Sequence, residues 1–157
     1  MKASNACIRP AKSVVYGTPD WLYRWLDARF AFTYDPCPLN DAKIWDSLAE
    51  SWAGQRVYCN PPYGREIVRW LAKRFEPDLA VYLLPARTDT EWWHTMVLNQ
   101  ATEIMFFRNR IRFVNMPHPA PFPSVAIVYE GQPRTPTFRS VWLTELEPDR
   151  GYRIEGA

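Results

Sequence analysis

Residues 56–85 read RVYCNPPYGREIVRWLAKRFEPDLAVYLLP. Arg56-Val57-Tyr58-Cys59 predicts a strand, and the two prolines that follow stop it because proline cannot continue a central ladder. A helix is expected at about 65–76. Ile67, Val68, Leu71 and Phe75 form its apolar stripe, while Arg65, Arg69 and Lys73 fall on another face. Leu79 to Leu84 predicts a wholly apolar strand. Strand, helix and strand in immediate succession are the repeating unit of an α/β sheet with parallel strands.

The pattern extends in both directions. Upstream, Thr18-Pro19-Asp20 predicts a helix start, with Thr18 as N-cap, Pro19 in the first helical position and Asp20 in the first turn. The helix is expected to reach Phe30, with Leu22, Trp25, Leu26 and Phe30 on one face. Phe30 to Tyr34 reads as a short buried strand, stopped by Asp35-Pro36-Cys37-Pro38. Residues 40–54 fit a helix or a loop with one helical turn equally well: Ile44, Leu48 and Trp52 have helical spacing.

Downstream, Thr88 and Glu91 are placed as a capping box for a helix carrying Trp92, Trp93, Met96 and Val97. Glu103 to Val114 alternates as a strand or hairpin arm. A proline at every second position makes residues 116–123 an extended loop. Ser124 to Tyr129 predicts another strand, and Val141 to Leu146 an edge strand or short helix. The fold class expected is α/β, a mostly parallel sheet with flanking helices. Residues 1–15 read as a flexible arm and 16–157 as a single domain. Ligands of such sheets bind beyond the carboxyl ends of the strands. Asp35 and Asn60, each just past a strand end, are therefore expected on one rim.

The composition narrows the class. With 157 residues, 47% hydrophobic and 23% charged, the chain suits one globular domain with a real core. Eight each of Trp, Tyr and Phe exceed the ordinary aromatic share, a surplus that composition alone does not divide between core and flat surfaces for stacking bases. A net charge of +2 and a pI of about 8.5 permit nucleic-acid binding only through clustering. Cys7, Cys37 and Cys59 form no CxxC pair, which argues against a disulfide framework or structural zinc and fits a reducing cytosol. His94 and His118 lack metal-ligand spacing, so no metal is expected. No apolar run reaches membrane-spanning length and no signal peptide opens the chain, so the expectation is a cytoplasmic protein with no membrane partner.

Three stretches carry candidate chemistry. In Asn60-Pro61-Pro62-Tyr63, an Asn oxygen and the backbone carbonyl just after it can accept both hydrogens of an aromatic amino group, whose lone pair is otherwise withdrawn into the ring. The prolines stiffen the pair, and the following aromatic can stack on a flipped base. The same run also reads as an ordinary strand-to-loop turn. Asp35-Pro36-Cys37-Pro38-Leu39-Asn40 is either a turn capped by Asp35 or a ligand loop. On a strand, Arg108, Arg110 and Arg112 share one face and Phe107, Ile111 and Phe113 the other. Such arginines suit phosphates or guanine edges, or simply a solvated face. Arg87 follows the third strand on the same rim, placed to face DNA or to brace the Asn60 loop.

The ordered series YGTPDWL (16–22), YDPCPLN (34–40), VYCNPPYGR (57–65), LLPARTDTEWWH (83–94), RNRIRF (108–113) and PSVAIVY (123–129) resembles the phage-type DNA N6-adenine methyltransferase (Dam) family. The resemblance implies a reduced Rossmann-like methyltransferase fold, S-adenosylmethionine as cofactor and double-stranded DNA as partner, in a phage or prophage protein acting in a bacterial host. It implies catalysis by Asn60, Pro61, Pro62 and Tyr63. It places the cofactor against Tyr16, Thr18, Pro19, Asp35, Pro36, Asn40 and Asn60, and DNA against Arg87, Arg108, Arg110 and Arg112. The chain departs from larger relatives in lacking a glycine-rich cofactor loop. The gap from Asn40 to Val57 is also too short for two strand–helix units, so the usual ribose-holding acid has no counterpart. The same tetrapeptide serves methyltransferases of RNA bases and protein glutamines, and a non-catalytic DNA-binding relative is a further alternative.

Overall fold

The computed structural model describes residues 14–39, 41 and 46–146. Helix α1 (Asp20–Phe30) is followed by a 3-10 turn (Asp46–Leu48), strand β1 (Arg56–Cys59), helix α2 (Ile67–Leu71) and strand β2 (Leu79–Pro85). A π-helical turn (Trp93–Val97), strands β3 (Glu103–Arg108), β4 (Ser124–Glu130) and β5 (Thr137–Trp142), and helix α3 (Leu143–Leu146) complete the described chain.

The five strands form one sheet in the order β1-β2-β4-β3-β5. It is mixed, not mostly parallel: β1 with β2 and β3 with β5 are parallel, whereas β4 runs antiparallel to both β2 and β3. Every residue of β2 is buried, which accounts for its unbroken apolar run. The two faces are covered by different helices. Tyr58 and Glu103 face α1, where Tyr58 meets Tyr23 edge-on and Glu103 accepts a 2.6 Å bond from Arg29. Tyr82 and Tyr129 point the other way, donating to the carbonyls of Trp70 and Met96.

Several local expectations change. Pro19, not Thr18, caps α1, and the Thr18 hydroxyl bonds elsewhere. Ala31 closes α1 in the left-handed region (φ 48°), and the Asp27 carboxylate accepts from the Phe32 N–H. The strand expected over residues 30–34 is thus reduced to one parallel bridge, Tyr34 to Val57, and is only half-buried. α2 is a short helix; Val68 is exposed and Trp70 takes the core position. The helix after Arg87 does not use the expected box: the Thr90 hydroxyl donates to the Arg87 carbonyl, and the Thr90 carbonyl accepts from His94 N–H. Residues 46–54 hold the single helical turn, and the C-terminal stretch is an edge strand running into a short helix.

β3 ends at Arg108, where Asn109 turns the chain with φ 77°. Arg110 and Arg112 therefore lie in a loop and not on the strand, although Ile111 and Phe113, which alternate with them, are still buried. Of the arm expected at 1–15, residues 1–13 lie outside the described residues. Val14 and Val15 are tied down: Val14 bridges to Tyr63, and the Val15 carbonyl accepts from Asn115.

Strand direction gathers the loops that matter. β1, β2 and β3 end at one rim, and the antiparallel β4 begins there, since Pro85 pairs with Ser124. Asn60 to Tyr63, Arg87 and the loop 109–123 all leave from this rim, with Asp35 beside β1.

Candidate active site

Asn60 follows the last residue of β1 and is 5% exposed. Its side-chain amide donates to the Tyr16 carbonyl and, at 2.9 Å, to Thr18 Oγ1. Thr18 Oγ1 is in turn 2.6 Å from the Tyr58 hydroxyl. Both amide hydrogens of Asn60 are spent on this clamp, which fixes the direction of its oxygen. Asn60 Oδ1 is buried with no hydrogen-bond partner among the described residues. An unpaired buried acceptor costs about 1–3 kcal/mol, so the clamp holds an unmet demand for a donor.

Asn60 lines a cavity of about 210 Å3 with Tyr16, Thr18, Asp35, Tyr58 and others. Four of the residues expected at the cofactor, Tyr16, Thr18, Asp35 and Asn60, thus meet around one space. Pro19 is buried as the α1 cap and is not part of the wall. Pro36 lines a neighbouring acidic cavity of about 430 Å3 with Asp35, Asp41, Asp46 and Glu50. Asn40 lies outside the described residues.

Asp35 belongs to both cavities. Burial pushes its carboxyl up to about 6, opposed by the Cys37 N–H, which donates to Asp35 Oδ1 at 2.8 Å. Cys37 and Cys59 are both buried with their sulfurs 3.9 Å apart, and burial raises both thiols. They pack the Asp35 turn against β1 and present no thiolate to the rim.

A larger cavity of about 570 Å3 opens on the other side of Tyr16, lined by Tyr63, Arg65, Arg87, Trp92 and Phe122 among others. Tyr63 is 7% exposed, and its hydroxyl donates to the Leu83 carbonyl at 3.0 Å. Tyr16 stacks on it with ring centroids 5.1 Å apart, and Phe122 meets it edge-on. One Tyr63 face is thus already covered by Tyr16, which walls both cavities. Pro61 and Pro62 are buried.

Residues 8–120 match the model of the family described as DNA N-6-adenine-methyltransferase (Dam). The chain belongs to the Dam family. Membership suggests a DNA adenine methyltransferase and implies a DNA substrate. Comparison with curated proteins finds no match, and comparison with solved structures finds none either.

The arginines separate in this setting. Arg87 lines the large cavity and is exposed. Arg110 and Arg112 are exposed on the rim loop. Arg108 lies over the Trp142 ring at 3.6 Å from its centroid, so part of it is engaged with β5. Among the described residues no group of His, Cys, Asp or Glu is arranged to hold a metal, and no helix is long and apolar enough to cross a membrane.

Residue-by-residue reading missed Arg65, Tyr58 and Asn115. Arg65 was legible as the residue after Pro-Pro-Tyr-Gly. Tyr58 reads as an ordinary core strand residue, and nothing local distinguishes Asn115.

Proposed function

We propose that this protein transfers a methyl group from S-adenosylmethionine to the N6 amino group of an adenine flipped out of double-stranded DNA. The observation that carries this is the Asn60 carboxamide. Its two hydrogens are held by Tyr16 and Thr18, and its buried oxygen lacks a donor. An exocyclic amino group supplies the missing hydrogen. Accepting it draws electron density onto the amino nitrogen at the moment of attack. The Pro61 carbonyl, held next in a stiff turn, takes the second hydrogen.

The cofactor fits the smaller cavity and its acidic neighbour. S-adenosylmethionine brings an electrophilic methyl on a sulfonium centre, together with an ammonium group. Asp35, a desolvated carboxylate with no cationic partner among the described residues, suits that charge. Tyr16 and Thr18 form the wall nearest Asn60. The flipped base enters by the larger cavity, lined by Tyr16, Tyr63 and Phe122 with Arg65 and Arg87 at its mouth, and its amino edge has to reach past Tyr16 to Asn60 on the wall of the smaller cavity. Arg110 and Arg112 hold the DNA backbone from the rim loop, and Arg108 supports them from the strand end. A Rossmann-like reading of the mixed sheet accords with family membership and with the rim shared by the three strand ends. The phage-type block order supports action inside a bacterial host.

Radiolabelled S-adenosylmethionine offered with DNA, RNA and protein substrates tests the proposal. Label should appear as N6-methyladenine in duplex DNA, and Asn60→Ala should lower the rate by about 10²–10³-fold or more while the melt stays within a few degrees. Label on RNA or glutamine alone, or an active Asn60→Ala variant with a normal melt, defeats the assignment.

A further inference from the structure

The segment from Val14 to Thr18 is a strap across the Asn60 loop. Its outer side is held by the middle of the rim loop. Asn115 Nδ2 donates to the Val15 carbonyl at 2.7 Å, and the Gly17 N–H donates to Asn115 Oδ1 at 2.6 Å. The Val114 N–H donates to the Gly17 carbonyl at 2.9 Å. One carboxamide thus grips the backbone on both sides of Tyr16 in the way a paired strand would, using donor and acceptor together. The contact is close: a Cβ on Gly17 would lie 2.5 Å from the Val114 side chain and 2.7 Å from Leu39.

On its inner side the strap makes the contacts that orient Asn60, through the Tyr16 carbonyl and the Thr18 hydroxyl. A carboxamide rotated by half a turn would present its NH2 group where the acceptor is needed. What prevents this is the position of two acceptors on the strap, and Asn115 sets the position of the strap.

We infer that Asn115 is a positioning residue for the reaction, clamping the strap so that Asn60 presents its oxygen to the substrate amino group. Asn115 touches neither substrate nor cofactor in this arrangement. It acts through Tyr16 and couples the loop proposed to lie on DNA to the acceptor in the pocket. The inference rests on the adenine-methyltransferase reading for its chemical consequence, though not for its geometry.

The test pairs kinetics with a direct view of the Asn60 amide. In 15N-labelled protein the Asn60 side-chain NH2 signals are those missing from the Asn60→Ala spectrum, and in the wild type they should be slow to exchange. Asn115→Ala should shift these signals toward free amide values and speed their exchange. It should lower kcat for DNA methylation at least tenfold while changing the KM for DNA less than threefold. Asn115→Asp keeps the acceptor for Gly17 but faces the Val15 carbonyl with a carboxylate. Its kcat relative to wild type should therefore recover as acidification protonates the new carboxyl and restores a donor.

Melts of each variant, and rates normalised to S-adenosylmethionine-binding sites, separate misfolding from misplacement. Unchanged Asn60 signals in Asn115→Ala overturn the inference whether or not the wild type methylates DNA. Altered signals with an unchanged normalised kcat overturn it as well, as does a normalised Asn115→Asp activity ratio that does not vary with pH. A wild type inactive on DNA removes the function proposed above, and the Asn60 signals still decide the clamp.

Discussion

Replacing Asp35 with asparagine should make the protein more stable and a poorer binder of its cofactor at the same time. Burial raises the Asp35 carboxyl from its ordinary 3.8 to about 6, against the opposing pull of the Cys37 N–H. Between these values the folded protein holds a proton that the unfolded chain has released. Stability therefore falls as pH rises through about 4 to 6, and the loss is complete above that window. A displacement of this size corresponds to about 3 kcal/mol. Asp35 borders two cavities and is not fully buried, so screening reduces this to about 1–3 kcal/mol. Asparagine keeps an acceptor for Cys37 and carries no charge. Asp35→Asn should accordingly melt about 3–10 °C above wild type at pH 7.5, with the difference closing below pH 4. The same change should weaken S-adenosylmethionine by about 1.5–3 kcal/mol, the range for a lost hydrogen bond to a charged group. Wild-type affinity should decline below about pH 6 as Asp35 takes up its proton. Calorimetric melts from pH 4 to 8 and titration with the cofactor read out both effects. A variant no more stable than wild type at pH 7.5, or a difference that persists under acid conditions, refutes the electrostatic argument. Unchanged affinity reduces Asp35 to a turn residue.

Two further outcomes follow from the rim. Thr18→Val removes an acceptor from the Asn60 clamp and a partner from the buried Tyr58 hydroxyl, so it should cost about 1–3 kcal/mol in the melt and depress kcat more than KM, with Thr18→Ser restoring both; a valine variant with normal kcat removes Thr18 from the clamp. Arg110→Ala and Arg112→Ala should each weaken binding to every DNA sequence and lower the log–log salt slope by about one unit, as measured by a salt titration. An unchanged slope in both variants takes the rim loop off the DNA.

The misreadings have a common source. Alternation of apolar and polar residues continued past Arg108, and burial did alternate there, with Ile111 and Phe113 inside and Arg110 and Arg112 outside. Pairing nonetheless stopped at Asn109, because alternation reports which side faces the core and not whether a neighbouring strand is present. Thr18 had the residue type, position and following proline of a helix cap. The competing partners, Tyr58 and Asn60, are 40 and 42 residues away, outside any local pattern. The direction of β4 was also hidden, since an apolar run carries no sign of its orientation.

Local chemistry determined the parts. Apolar runs became β2 and β4, prolines ended β1, and Asn60-Pro61-Pro62-Tyr63 could be placed at a strand end with its chemistry argued from residue type alone. Strand–helix alternation also put Asn60 beyond a strand end and expected Asp35 beyond another, where the structure forms only the Tyr34 to Val57 bridge. Only the tertiary structure decided which atoms of Asn60 are spent and which remain. That outcome depends on a strap at one end of the chain being gripped by Asn115, 98 residues from Gly17, and on Tyr16 lying over Tyr63. A carboxamide has a donor side and an acceptor side of nearly the same shape, and the choice between them is made by distant partners that meet only when the sheet is assembled.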